Sequence, residues 1–178
     1  MSPSIRRVFD LETYLSFKGR IGRQTYWLSG ILLVVVLMLS QYLLSLLLRF
    51  PVLLPRDSVD VQKYAVLYHQ NALLHLIGNF ISILPTSAMN AKRLKDRGRS
   101  PWWVLPIFAP GIAGVLLSVF GGAMTPLLAD TGFVYEAPTP LADILNWSGL
   151  AILLVAFIDL GLLRGTDGPN QYGDDPLA

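Results

Sequence analysis

Four arginines stand in two closely spaced pairs, and this spacing suits the binding of an anionic group. Arg20 and Arg23 are three positions apart, just before the first long apolar run. Arg93 and Arg97 are four positions apart, just after the second. Residues at these spacings share one face of a helix. Because a guanidinium donates two parallel hydrogen bonds to a phosphate, the four arginines are candidates for a lipid-headgroup or other anion site.

The same arginines also have a structural interpretation. Acidic residues occur beside the second pair and in the tail, and salt bridges from them to the arginines would hold helix ends together beneath a bilayer. The acids in question are Asp96, Asp167, Asp174 and Asp175. The residues alone support both interpretations, a site for an anionic headgroup and a set of internal ties.

Three further polar residues lie within apolar runs. His75 and Asn79 are four positions apart and so share a helix face, where hydrogen bonding between helices is the expected role. Asp159 lies near the end of the last apolar run. An ionisable residue within a span indicates function by default, in this case a proton or ion role. The alternatives are an ion pair with Arg93 or Lys92 and a helix that ends elsewhere than predicted.

The sequence offers little for catalysis. It contains no cysteine, which excludes disulfides and thiolate chemistry. It has no H-E-x-x-H zinc motif and no glycine-rich phosphate-binding motif, and no nucleophile stands beside a base. We therefore predict no catalytic residue, no metal site and no cofactor, and we expect a protein that is not an enzyme.

Long apolar runs indicate the fold class. Hydrophobic residues make up 53% of the chain and charged residues 15%, whereas a soluble domain averages about 25% charged residues. Only helices and closed barrels cross lipid, and the runs lack the alternation of barrel strands. The prediction is an all-α polytopic membrane protein. Its single domain, residues 1–178, has transmembrane helices at about 27–48, 68–91, 102–121 and 145–163 and a tail at 164–178.

The segment before the first run predicts a short interfacial helix. Val8, Leu11 and Leu15 follow a helical spacing, and Gly19 is suited to ending such a helix. A helix of this kind can lie on the membrane surface, although packing as an amphipathic cap on the helix bundle is the alternative.

Basic residues are distributed unevenly between the two sides of the predicted bundle. The loop at 124–143 contains none, and the first loop contains few. Because cytoplasmic segments carry the excess of lysine and arginine, both termini and the loop at 92–101 are predicted to be cytoplasmic. The basic residues on that side are Arg6, Arg7, Lys18, Arg20, Arg23, Lys92, Arg93, Lys95, Arg97, Arg99 and Arg164.

Three segments on the predicted cytoplasmic side carry a family resemblance. They are the first motif, "FKGRIGRQTYW" (residues 17–27), the second motif, "KRLKDRGRSPWW" (92–103), and the third motif, "GTDGPNQYGDDP" (165–176). In their order and in their spacing from the apolar runs they resemble the DUF805 family of small bacterial inner-membrane proteins. The resemblance implies a structural role for Gly19, Trp27, Asp96, Gly98, Trp102, Trp103, Asn170, Tyr172 and Gly173.

The resemblance implies an integral inner-membrane location. The family has no assigned activity, so no function follows from it. We expect a non-enzymatic protein that binds lipids, anionic ones among them, or protein partners at its cytoplasmic face. Self-association or a membrane-protein partner stays open, and nucleic acid is not expected. The alternatives are a small transporter or channel subunit, which would gather polar residues at mid-membrane, and a headgroup enzyme using Asp96 or Asp167.

Overall fold

The computed structural model describes residues 3–50, 61–128 and 134–176, which form six helices and one hairpin. A 3₁₀ turn at Pro101–Trp103 precedes the fifth helix, and a π-helical segment at Phe157–Leu162 continues the sixth. The predicted all-α class is confirmed. The elements are α1 (Pro3–Val8), α2 (Leu11–Leu15), α3 (Arg23–Leu48), α4 (Val61–Asp96), α5 (Val104–Val119), β1 (Met124–Leu128), β2 (Val134–Pro138) and α6 (Pro140–Ala156).

Four helical segments are long and apolar enough to cross a membrane, which confirms the four predicted spans. Many of their large apolar side chains are exposed, among them Met38, Leu47 and Trp147. In helices of this hydropathy, exposed apolar surface is the surface that lipid covers. The segments are Arg23–Leu48, Val66–Asp96, Pro101–Val119 and Pro140–Leu162.

The helices extend beyond the apolar runs at several ends. α4 continues five residues past the predicted limit at Ala91, through the basic residues up to Asp96. Hydropathy detects the part of a helix that lies in hydrocarbon, whereas the hydrogen-bonded helix continues into the interface. Pro85 lies inside α4 and has no N–H to donate, yet the helix continues through it.

The N-terminal segment forms two short helices where the sequence predicts one. Asp10 separates them and caps α2, accepting a bond from the Glu12 N–H at 3.0 Å. Two side chains of α2 then bind carbonyls of α1: the Thr13 hydroxyl donates to Arg7 and the Tyr14 hydroxyl to Val8, both at 2.7 Å. These two hydrogen bonds therefore hold α1 and α2 together.

Gly19 does not end the N-terminal helix, contrary to the prediction. α2 ends at Leu15 with Ser16 as its C-cap, and Gly19 follows in the connection to α3 with φ +79°. Leu11 and Leu15 are exposed, as are the neighbouring Phe9 and Phe17. An exposed apolar face of this kind is typical of a helix lying in the membrane interface.

Two compact units divide the described chain, and each is treated by itself. Unit 1 comprises Met1–Leu37, Ile81–Phe108 and Leu150–Ala178. Its core consists of two small apolar clusters, in which partly buried aromatic and aliphatic side chains surround a few buried residues. One cluster centres on Ala91, Leu94, Val104 and Leu160, the other on Ile21, Leu33 and Met89.

Unit 2 comprises Met38–Phe80 and Ala109–Gly149 and contains the hairpin. β1 and β2 pair antiparallel, with Met124 opposite Pro138 and Leu128 opposite Val134. Thr139 then caps α6, its hydroxyl accepting from the Ala142 N–H at 3.3 Å and donating to Gly122. The sequence predicts only a loop in this segment, and residues 129–133 of that loop lie outside the described residues.

Candidate functional site

The buried carboxylate of Asp96 lies at the centre of the charged end of unit 1. Its Oδ1 accepts from Arg20 Nη2 at 3.0 Å and Arg20 Nε at 3.2 Å, and its Oδ2 accepts from Arg93 Nη1. Asp96 is 2% exposed, Arg20 6% and Arg93 0%. A buried ion pair is only as stable as its geometry, and removing one partner leaves an uncompensated charge. Asp96 therefore holds two cations that are almost entirely buried.

Arg20 links the first motif to the third. Its Nη1 donates to the carbonyls of Gly168 at 2.8 Å and Gly173 at 3.2 Å. Its Nη2 donates to the carbonyl and the hydroxyl of Thr166, at 2.7 and 3.1 Å. One guanidinium thus fixes the start of α3, the end of α4 and the tail against each other.

The chain leaving α6 presents five consecutive carbonyls, Leu160 to Arg164, and each accepts a bond from a side chain of the first or second motif. The last carbonyls of a helix have no partner within the helix, and this arrangement supplies partners one by one. The bonds are Arg93 Nε to Leu160 (2.7 Å), Trp27 Nε1 to Gly161 (3.0 Å), Arg23 Nη1 to Leu162 (3.0 Å), Arg93 Nη2 to Leu163 (2.6 Å) and Arg97 Nη1 to Arg164.

Two glycines allow this close packing. A Cβ at Gly161 would lie 2.7 Å from the ring of Trp27, the residue that donates to the Gly161 carbonyl. A Cβ at Gly165 would collide with the Asp96 carboxylate. Glycine is needed where a backbone approaches another group this closely.

The third motif is a folded turn that docks on the end of α4. The Thr166 N–H donates to the Asp96 carbonyl at 2.8 Å, and Asn170 Nδ2 donates to the Lys95 carbonyl at 3.0 Å. Asn170 Oδ1 accepts from the Tyr172 N–H, and Asn170 and Gly173 exchange backbone bonds. Gly173 has φ +131°, a conformation that only glycine adopts readily.

The second motif also binds the N-terminal segment. Lys92 donates to the Glu12 carbonyl, and Lys95 donates to the Phe17 carbonyl at 2.5 Å. The Lys95 ammonium also lies 5.8 Å from the centre of the Tyr172 ring, within cation–π range. Gly98, with φ +69°, follows the end of α4 in a typical helix-terminating conformation.

Asp159 forms its ion pairs with Arg97 and Arg99, at 3.4 and 3.1 Å, and both arginines contact its Oδ1. The predicted partners, Arg93 and Lys92, are wrong. Arg93 instead binds Asp96 and the carbonyls of Ile21, Leu160 and Leu163, and Lys92 binds the Glu12 carbonyl. Asp159 is 7% exposed and lies in the π-helical segment.

Two amide side chains of unit 2 bind backbone carbonyls of the same unit. Asn79 Nδ2 donates to the carbonyl of His75 one turn earlier, at 2.8 Å, and both residues are exposed on one helix face. Gln41 donates to the Leu74 carbonyl at 3.0 Å. A Cβ at Gly78 would collide with the Gln41 amide, so glycine makes room for this bond. Across the described ranges, no group of three metal-ligating side chains gathers.

The four arginines proposed as an anion site differ in exposure. Arg20 and Arg93 are buried among protein acceptors, whereas Arg23 is exposed and, within the described residues, has one hydrogen bond, to the Leu162 carbonyl. Arg97 is partly exposed. The exposed tryptophans Trp102 and Trp103 follow them in the chain, and aromatic side chains at helix ends are typical of the membrane interface.

Two residues that matter here were not predicted from the sequence. Thr166 and Gly165 stand in the third motif, but neither residue type carries a charge that would single it out. Thr166 joins the tail to α4 through its N–H and its hydroxyl, both bound to the Asp96 carbonyl. The available signal was their place in the motif, directly after the last apolar run.

Four membrane-spanning helices with one charged end closed by internal bonds define an integral membrane protein. The sequence profile of "Protein of unknown function (DUF805)" matches residues 14–174, so the chain belongs to the DUF805 family. This range contains all three motifs.

Three curated relatives come from Escherichia coli (strain K12). "Uncharacterized protein YiiR" is 31% identical over 90% of this chain and 85% of its own length. "Inner membrane protein YhaH" is 28% identical over 62% of this chain and 78% of its own. "Inner membrane protein YhaI" is 30% identical over 62% and 76%, respectively. No solved structure matches the chain.

Proposed function

We propose that this protein is a non-enzymatic bacterial inner-membrane protein that binds lipids or protein partners at its cytoplasmic face. The location follows the relatives named as inner membrane proteins. The orientation, with both termini cytoplasmic, rests on the concentration of basic residues in the first and second motifs, with Arg6, Arg7 and Arg164 on the same side. Support for binding at this face comes from the contacts and exposure of the charged side chains.

One observation carries the proposal: the charged end has interior arginines that are paired within the protein and an exposed cationic rim. The interior arginines, Arg20 and Arg93, donate hydrogen bonds to protein oxygens. The rim keeps donors for other partners, and a cationic surface at a helix end attracts anionic headgroups by about 1 kcal/mol per charge. The rim consists of Lys18, Arg23, Arg99 and Arg164, all exposed.

Burial of the central acid supports a non-enzymatic role. A headgroup enzyme using Asp96 would need that carboxylate to meet substrate or water. Both oxygens of Asp96 are instead occupied by arginines, and the residue is 2% exposed. The transporter alternative has little support either, since Gln41 and Asp159 are both engaged by protein groups.

Native mass spectrometry of the protein released from its own membrane vesicles tests this proposal. The wild-type chain is expected to retain anionic lipid, or a protein partner, beyond the proportions of the surrounding membrane. A variant with all four rim cations changed to glutamine should lose that retained species. The matched control is Arg6→Gln, which removes an exposed cation of α1 outside the rim.

Two outcomes decide against the proposal. One is a wild-type protein whose retained lipids merely mirror the bulk membrane and that carries no protein partner. The other is retention that the rim variant leaves unchanged. Melting temperatures of the variants must be measured in parallel, so that loss of binding is not confused with loss of fold.

A further inference from the structure

An apolar crevice opens in unit 1, and neither Asp96 nor its partners Arg20 and Arg93 line it. It has a volume of about 270 Å³ and is lined by the start of α5 and the last turns of α6. Its walls include Ile107, Ile152 and Val155, and only two of the residues lining it are charged, Arg99 and Asp159. The crevice therefore has the two-part chemistry of an amphiphile site, with apolar walls and a charged group beside them.

The charged group carries a net positive charge. Asp159 faces two arginines, Arg97 and Arg99, so the three together carry a charge of about +1. The Arg99 side chain is 50% exposed, and a guanidinium has five N–H donors. Arg97 Nε is buried without a hydrogen-bond partner among the described residues. This trio can accept an added anion without leaving a negative charge unpaired.

The polarity of the crevice matches its place at the helix ends. Trp103 lines it and is 58% exposed, and Trp102 beside it is 74% exposed. Tryptophan at a helix end lies at headgroup level in a bilayer. The apolar walls formed by α5 and α6 then lie deeper, where acyl chains are. A ligand with an anionic head and an apolar chain fits both parts at once.

We propose that this crevice binds one anionic diacyl phospholipid, with its phosphate at Arg99 and one acyl chain along the walls formed by α5 and α6. The site rests on the proposed lipid-binding function and gives it a ligand class and a position. It also moves the headgroup contact from the four arginines of the sequence prediction to Arg99, which that prediction did not include.

The absence of native cysteine allows a direct test with a single attached fluorophore. Val155→Cys places a bimane label at the crevice, since Val155 lines it and is 67% exposed. Leu153→Cys is the matched control: Leu153 is 57% exposed on the same helix but does not line the crevice. Positions 153 and 155 are two residues apart on an α-helix, so their side chains differ by about 200° around the helix axis and by about 3 Å along it.

The labelled proteins are reconstituted in phosphatidylethanolamine vesicles that contain increasing amounts of a lipid with brominated chains. The brominated lipid is either phosphatidylglycerol or phosphatidylethanolamine with the same chains. The label at position 155 is expected to be quenched at a several-fold lower fraction of brominated phosphatidylglycerol than of brominated phosphatidylethanolamine. The label at position 153 should respond equally to both.

Two further variants assign the two parts of the site. Arg99→Gln should abolish the preference at position 155 because it removes the headgroup contact. Ala151→Trp should abolish it as well, by filling the apolar part without touching a charge; Ala151 lines the crevice. Both variants should melt within a few degrees of the Arg6→Gln control.

Equal quenching of the label at position 155 by the two lipids overturns the proposal, and so does a preference that survives in Arg99→Gln. These results are separable from a failure of the proposed function. If native mass spectrometry detects retained anionic lipid but position 155 has no preference, the protein binds lipid elsewhere. If neither signal is present, both proposals are wrong.

Discussion

The two units satisfy their polar groups in different ways. In unit 1, side chains reach carbonyls far away in sequence: Arg20 binds Gly173, and Arg93 binds Leu163. In unit 2, several side-chain bonds of the described residues stay within one helical turn, as for Ser118 to Gly114 and Ser148 to Leu145. Gln41 to Leu74 and Thr139 to Gly122 reach further along the chain. Long-range bonds make the structure of unit 1 depend on particular residues, whereas local bonds leave unit 2 dependent chiefly on apolar surface and helix formation.

The largest expected effect is that of Asp96→Ala in unit 1. The change leaves Arg20 and Arg93 buried without their counter-charge, which should cost about 3–5 kcal/mol of unfolding free energy. Denaturant titration in mixed micelles measures it. Asp167→Ala is the control, because Asp167 is exposed on the third motif, and it should change stability by less than about 0.5 kcal/mol. Similar changes in unfolding free energy for the two variants would mean that Asp96 is not the main counter-charge of Arg20 and Arg93.

A smaller effect is expected for glycine-to-alanine changes, with opposite signs in the two units. Gly165→Ala in unit 1 should destabilise by about 1–3 kcal/mol because the added methyl group displaces the Asp96 carboxylate. Gly111→Ala in α5 of unit 2 meets nothing within 4 Å and should stabilise by up to about 1 kcal/mol. Melting temperatures of the two variants check the prediction. An unchanged melting temperature in Gly165→Ala would mean that the tail packs less closely against Asp96 than the structure indicates.

A modest effect is expected for the long-range bond of Gln41 in unit 2. Gln41→Leu removes one hydrogen bond to the Leu74 carbonyl. A polar bond between membrane helices contributes about 0.6 kcal/mol on average, so the loss should be of that size and well below that of Asp96→Ala. The same denaturant titration compares them directly. A loss as large as that of Asp96→Ala would contradict the distinction drawn between the two units.

The smallest effect on stability is expected for Arg23→Gln. Arg23 is exposed and makes one bond, to the Leu162 carbonyl, so the unfolding free energy should change by no more than about 0.5 kcal/mol. Arg20→Gln, only three residues earlier, should be far more damaging because Arg20 is buried and binds four residues. Thermal melting of the two variants measures the difference. Equal losses of stability in the two variants would mean that the difference in burial does not decide how much each arginine contributes.

Much of the architecture could be predicted because the bilayer constrains it strongly. A run such as 27–48 must be a helix, since a backbone in lipid has to satisfy its own hydrogen bonds. The hairpin of unit 2 was not predictable in this way. Its strands have five residues each and include Pro126 and Pro138, and proline weakens a strand signal. Their pairing depends on the two segments meeting in space.

Partner choice within the charged cluster was the least predictable part. Lys92, Arg93, Arg97 and Arg99 lie within eight residues, and spacing alone does not say which of them faces Asp159. The helix ends at Asp96, and the turn at Gly98 redirects the chain, so Arg97 and Arg99 face Asp159. Arg93, still on the helix, faces the core of the cluster.

The sequence by itself determined the number of spans, the class of protein and the three motifs that carry its charge. These follow from residue type and order, because transfer into lipid depends on composition over about twenty residues. Tertiary structure alone decided which arginines are buried, which carbonyls they cap and where a crevice remains beside Arg99. Hydrogen bonds and ion pairs depend on distances of a few tenths of an ångström between residues far apart in the chain, and only the folded backbone sets those distances.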